Sequence, residues 1–243
     1  MRCSHVLVWV EDLHRAVRDY RHLGFEVEYA TNARDARHAH VWFPQGPILE
    51  LLTTPGHAGA FRWLIDLIAG RGAGRRMAGW GGNGEGFCDV AVVSASAELD
   101  PVLRDLRRDG LAVGRAVRWV RRRPDGQRTR FQFAYPVEPR LPFLVSPYDP
   151  PQHPTVQTHR NGACGIARVR LGVAAGDEAA VTRLVDDDPT FALEPAAVTG
   201  VKAVELAGLH HELDPLLLHG AVIRRAREQS AGLAATAVCS NCK

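Results

Sequence analysis

One order of elements recurs along this chain, and that recurrence limits its fold more than any single motif does. The order is strand, helix, strand, strand, strand. In the first pass, residues 5–10 alternate and are β-rich, so they read as a strand. Asp12 is placed to cap a helix, on which Leu13, Ala16, Val17, Tyr20 and Leu23 share one face and which Gly24 ends. Residues 25–29, 38–43 and 48–53 read as three further strands, with a Pro-Gln-Gly-Pro turn before the last.

The second pass opens near Phe87 and repeats the order. Its helix carries Leu99, Val102, Leu103 and Leu106 and closes at Gly110, and a Pro124-Asp125-Gly126 turn joins two of its strands. A third pass opens near Ile166 with strand, helix and a strand containing Glu205, and then becomes hard to trace. A βαβββ unit leaves one face of a small curved sheet bare and needs a partner unit to cover it. The expected fold is therefore α+β, with repeated βαβββ units packed as an open barrel around a central cleft. The expected divisions are 1–55 for the first unit, 56–86 for a helical and glycine-rich insertion and 87–146 for the second unit. A linker over 147–165, a degenerate third unit over 166–207, and a C-terminal helix with a flexible tail over 208–243 follow.

Composition excludes several classes of protein. No apolar run is long enough to span a bilayer and no signal-peptide pattern opens the chain, so a cytoplasmic location without membrane association is expected. Five scattered cysteines agree with a reducing compartment. The net charge of +3 is too small to point to nucleic acid. Cys239 and Cys242 form a lone Cys-x-x-Cys with no second pair, a weak zinc or redox signal.

Two polar residues break otherwise apolar strands. His5 opens His-Val-Leu-Val-Trp-Val, and Glu50 sits inside Pro-Ile-Leu-Glu-Leu-Leu. A charge or imidazole there is costly unless something satisfies it. Two strands that each turn one such residue inward can share a divalent metal. His38 and His40 point to one face of their strand, which makes His40 the best third ligand beside His5 and Glu50. Trp42 shares that face. With Trp9 and His40 it is expected to wall a cleft for a small apolar or aromatic ligand. The bland reading is that His5 and Glu50 only make hydrogen bonds in a metal-free pocket.

With these residues in view, the chain resembles the vicinal oxygen chelate superfamily, which includes glyoxalase, bleomycin-resistance and extradiol dioxygenase proteins. The residues that carry the likeness are His5, Val10-Glu11-Asp12-Leu13, Leu23-Gly24-Phe25 and Ile48-Leu49-Glu50-Leu51. Arg122-Arg123-Pro124-Asp125-Gly126, Leu141-Pro142-Phe143-Leu144, His153-Pro154 and His159-Arg160-Asn161-Gly162-Ala163 are similar to its glyoxalase-like domain group. The resemblance implies one divalent metal ion (Fe, Zn, Mn, Ni or Mg), bound by His5 and Glu50. It also implies a metal-dependent isomerase, lyase or oxygenase acting on a small molecule through vicinal oxygens. Glu50, or Glu205 if the third unit closes over the cleft, would serve as general base. The matching second-unit positions are Asp89, which can ligate or simply bond a backbone group or an arginine, and Val145, which cannot ligate. In the third unit the first-strand position falls near Arg168. His153 and His159 either fold over the cleft mouth or act in turns. The rival functions are a metal-free protein that sequesters a drug or metabolite, and an accessory subunit of a biosynthetic system. Units of this superfamily often pair across chains, so a homodimer is one way to complete the barrel.

Overall fold

A computed structural model describes residues 1–54, 62–123, 125–185 and 188–227. The tail with Cys239 and Cys242 lies outside these residues, as do the first residues of the 56–86 insertion.

β1 (Arg2–Trp9) leads into α1 (Leu13–His22). The Asp12 carboxylate accepts a hydrogen bond from the Arg15 amide at 3.0 Å, which satisfies one of the unpaired N–H groups at the helix start. Leu13, Ala16, Val17 and Tyr20 are all buried. Gly24 follows the helix at φ +88°, and a Cβ there would stand 2.9 Å from the Asn161 amide, so glycine is required on both counts. β2 (Glu28–Tyr29), β3 (His38–Val41) and β4 (Ile48–Leu52) complete the first half. Two helices come next, α2 (Arg62–Ala69) and α3 (Ala73–Trp80). The second half is β5 (Gly86–Val93), α4 (Leu99–Arg108), β6 (Val117–Arg122), β7 (Arg128–Ala134) and β8 (Phe143–Val145). The chain continues through β9 (Gly165–Val173), α5 (Glu178–Val185), β10 (Phe191–Pro195), β11 (Gly200–Ala207) and β12 (Ile223–Arg225).

The first eight strands form one curled sheet in the order β2-β3-β4-β1-β5-β8-β7-β6. Each half contributes four strands, and the halves meet where β1 runs antiparallel to β5. The remaining strands form a second sheet, β10-β9-β11-β12. This is the expected α+β open barrel of βαβββ repeats.

Alternation along the strands sorts the side chains between two faces. Val6, Val8, Leu49, Leu51, Val90, Val92 and Leu144 point to the outer face. There they share one core with α1, α4 and the inner side of the second sheet. Each fully buried Leu or Val in that core contributes roughly 1.5–3 kcal/mol. Leu7, Leu52, Ala91, Tyr135, Phe143 and Val145 point to the concave face and pack with Ala69, Ala73 and Trp80 of the α2–α3 segment. His5, His40, Glu50 and Asp89 have the same parity and lie on the concave face.

Three expectations are corrected. The glycine- and arginine-rich stretch after residue 70, whose sequence reads as a loop, instead forms α3, which packs on the concave face of the sheet. The helix expected over 209–227 is absent. Asp214 caps a single 3-10 turn at Pro215–Leu217, and β12 follows. Pro215 lacks the N–H that a helix through it would use, and His219 and Gly220 take positive φ. The strand expected over 25–29 is paired only at Glu28–Tyr29, because Phe25 and Val27 turn into the outer core.

Candidate metal and ligand site

β1 and β4 run parallel with His5 opposite Ile48 and Leu7 opposite Glu50. β3 lies antiparallel on the other side of β4, with His40 opposite Glu50 and His38 opposite Leu52. These registers bring three imidazoles onto one carboxylate. His38 Nδ1 lies 2.5 Å from Glu50 Oε1, His5 Nε2 lies 3.4 Å from Oε2, and His40 Nε2 lies 3.8 Å from Oε1. His5, His40 and Glu50 are buried, whereas the His38 side chain is 41% exposed and reaches the rim.

Burial sets the protonation of the cluster. Loss of hydration lowers His5, against the attraction of Glu50. Loss of hydration also brings His40 down to about 4, with Arg121 assisting and the nearby Glu50 carboxylate opposing. Burial on its own would raise Glu50. The hydrogen bond from His38 and the proximity of His40 and His5 overcome it and hold the carboxyl well below its ordinary value. At neutral pH the cluster is therefore an ionised carboxylate among neutral buried imidazoles, which is the protonation state a divalent cation requires. Among the described residues no three such side chains already stand in an ion-holding arrangement. The donors are nevertheless of the right kind. Their separations of 3.4 and 3.8 Å lie near the ~3.0–3.4 Å between ligand atoms bonded at ~2.1 Å to one ion.

The second half offers no matching site. Asp89 is buried against Arg76 of α3, whose Nη1 donates to both carboxylate oxygens at 2.7 Å. Trp80 Nε1 and the Val90 amide also donate to Asp89, each at 2.8 Å. Arg76 extends to the Leu141 carbonyl and lies over the Tyr135 and Phe143 rings. Asp89 thus bonds an arginine instead of serving as a ligand, and Val145 is a buried apolar residue. Glu205 cannot close over the cleft, because its sheet packs behind the outer face and its carboxylate pairs with Arg170 at 3.5 Å.

The remaining sequence candidates separate clearly. Trp42 is buried beside the cluster, its ring edge-on to His40 at 5.2 Å and to His153 at 5.3 Å. Trp42 and His40 line a cavity of about 350 Å³ with Arg121, Gln152 and Tyr29. Trp9 does not reach that cavity. Its indole donates to Thr54 Oγ1 at 3.0 Å, and its ring fills the space beside Gly81. His153 donates from Nδ1 to the Phe43 carbonyl. His159 accepts from the Glu26 amide and donates from Nε2 to the Trp42 carbonyl at 2.9 Å. Both histidines pin the linker to the first half and hold Trp42 in place. Arg76 and Arg121 were not identified as site residues from sequence. Arg121 lies in a basic run, Arg118 to Arg123, that in sequence reads first as a solvated face, with recognition of a substrate carboxylate or phosphate as the lesser alternative.

A family model described as "Glyoxalase-like domain" matches residues 3–186. No curated protein matches the chain. Among solved structures, a hypothetical protein from Staphylococcus aureus superposes with a TM-score of 0.57 at 10% identity, over 86% of this chain and 92% of that one. The Mn(II)-bound glyoxalase from Novosphingobium aromaticivorans gives 0.49 at 12% identity, over 85% and 65%. An extradiol ring-cleaving dioxygenase from B. fuscum gives 0.44 at 11% identity, over 87% and 57%. At these identities the first likeness speaks for the fold alone. The match to the family model spans most of the chain, and the chain belongs to the glyoxalase-like domain family.

Proposed function

We propose that this chain is a metal-dependent enzyme that transforms a small oxygen-bearing organic molecule at the His5, His40 and Glu50 cluster. The observation that supports this most is the convergence of three imidazoles on one buried, ionised carboxylate. Two imidazoles and a carboxylate suit Zn, Mn or Fe(II). A bound divalent ion would polarise neighbouring substrate oxygens as a Lewis acid. Ion entry would release the His38–Glu50 hydrogen bond. His38, at the rim, would then be the group within reach of a substrate proton. Glu50 is a poor general base because its carboxyl is held so low, so its role in this reading is that of a ligand. Trp42 walls the substrate cavity beside it.

A second reading is supported by a specific observation. Imidazoles alone satisfy Glu50, and Asp89, the second-half candidate, is taken by Arg76. A metal-free pocket that sequesters a small molecule would look the same. Metal content separates the two readings, measured on protein purified without nickel alongside His5→Ala and Glu50→Gln. Near-stoichiometric metal in the wild type, lost in both variants, is the expected result. A wild type without metal that takes up none from Fe(II), Mn(II) or Zn(II) would overturn the enzyme reading in favour of sequestration.

A further inference from the structure

We infer that Arg121 anchors a single carboxylate of the ligand, so that the cavity beside His40 selects small monocarboxylates over neutral analogues. The inference rests on reading this cavity as the ligand site, whether or not a metal is bound there.

Arg121 lies on β6, on the strand pair that faces the first half across the cleft. Its guanidinium is held firmly. It lies over the Phe131 and Tyr148 rings at 5.9 and 5.6 Å. Nη2 donates to Gln152, which is buried and in turn donates to Thr129. Nη1 lies 3.3 Å from His40 Nε2. A guanidinium has five N–H donors, and the contacts of Arg121 among the described residues engage two of them. Nε is buried without a partner. Among the described residues Arg121 pairs with no carboxylate, unlike Arg76, which has Asp89.

A pre-oriented, half-buried guanidinium that, among the described residues, touches no carboxylate directly and has Glu50 only across His40 gains a direct partner once an anion arrives. The charges around the cavity define that anion. Arg21, Arg121 and Arg123 line it together with Glu28 and Asp125, and Arg123 is already paired with Asp125 at 3.6 Å. With the ionised Glu50 behind His40, positive and negative groups are even, so the site accommodates the single charge of a carboxylate better than the double charge of a phosphate dianion. The volume of about 350 Å³ and the Trp42 wall suit a molecule about the size of one substituted aromatic ring.

The test is isothermal titration of the metal-stripped protein with benzoylformate, its neutral methyl ester and inorganic phosphate. The expected result is acid binding at least ten-fold tighter than ester or phosphate. Arg121→Gln should abolish the preference, and Arg121→Lys should keep part of it. Equal affinity for acid and ester, or an unchanged preference in a folded Arg121→Gln, would overturn the inference. Phosphate binding as tightly as the acid would overturn the monocarboxylate class. If Arg121→Gln fails to fold, the wild-type acid and ester comparison decides alone. Because the protein is metal-free in this assay, failed metal uptake leaves the inference standing, and a missing acid preference leaves the metalloenzyme reading standing.

Discussion

His5 and Glu50 stand on adjacent parallel strands two register steps apart, and His5 Nε2 reaches Glu50 Oε2 at 3.4 Å. Their strands are joined by α1, β2 and β3, so the contact forms only when the whole first half closes. The cluster is therefore a product of the fold, and its protonation reports on the folded state.

That coupling predicts acid sensitivity. His40 falls from 6.5 to about 4 on folding, so between those values the unfolded chain binds the extra proton and the folded chain does not. Stability from this group is complete above pH 6.5 and is lost as pH falls towards 4. For His40 alone the loss between pH 7 and pH 5 is about 2 kcal/mol. His5 and His159 are lowered by burial and add in the same direction. Urea unfolding at the two pH values should show this decline, and His40→Gln should flatten it. An unchanged slope in His40→Gln would assign the acid sensitivity elsewhere.

The Arg76–Asp89 pair predicts strong non-additivity. Either side chain alone would be a buried charge without its partner, so Arg76→Met or Asp89→Leu should cost about 3–5 kcal/mol. The double variant Arg76→Met, Asp89→Leu removes both charges from an already apolar cluster and should recover much of that loss. A double-mutant cycle in urea measures the coupling, and additive losses would show that the pair does not act as a unit.

The first half was legible in the sequence because its signals are local. A polar residue inside an apolar strand is conspicuous, and strand parity alone places His5, His40 and Glu50 on one face. The α1 pattern and its glycine stop are complete within twelve residues. The Arg76 plug was not legible. Gly74 and Gly79 inside α3 argue against a helix, which forms because its Ala73 and Trp80 side, with Ala69 of α2, covers the concave face. Arg121 was hidden among neighbouring arginines, since only the β6–β7 register separates the inward residue from the solvated ones. Leu209, Leu213, Leu216 and Leu217 imitate a helical stripe, but Pro215 and the sheet pairing of β12 prevail over it. Likewise, no local signal places the second sheet behind the first.

Trp9 and Trp42 should separate in function. Trp9 packs against Gly81, where an added Cβ would lie 2.7 Å from its ring, so Gly81→Ala should destabilise by about 1–3 kcal/mol and perturb tryptophan fluorescence. Trp9→Phe should leave benzoylformate affinity unchanged, and Trp42→Ala should weaken it several-fold. Titration of both variants decides. A loss of affinity in Trp9→Phe would return that residue to the ligand site.

The final prediction concerns how the C-terminal segment is tied to the first two strand groups. His219 is buried at φ +50°, with Nδ1 3.0 Å from both oxygens of Glu85 and Nε2 3.0 Å from Asp19 Oδ2. One side chain thus joins the segment before β12 to α1 and to the entrance of β5. His219→Ala would leave Glu85 and Asp19 without their shared partner and would strain the left-handed backbone, at a cost of about 1–3 kcal/mol. His219→Asn tolerates that backbone conformation better but cannot span both carboxylates, so its loss should be intermediate. Because β12 pairs, among the described residues, only with β11, local opening should precede global unfolding in His219→Ala. Hydrogen exchange should then show faster exchange across residues 218–226, with β1 and β4 unchanged. Uniform acceleration across the chain would mean that His219 supports the whole fold and not this clasp alone.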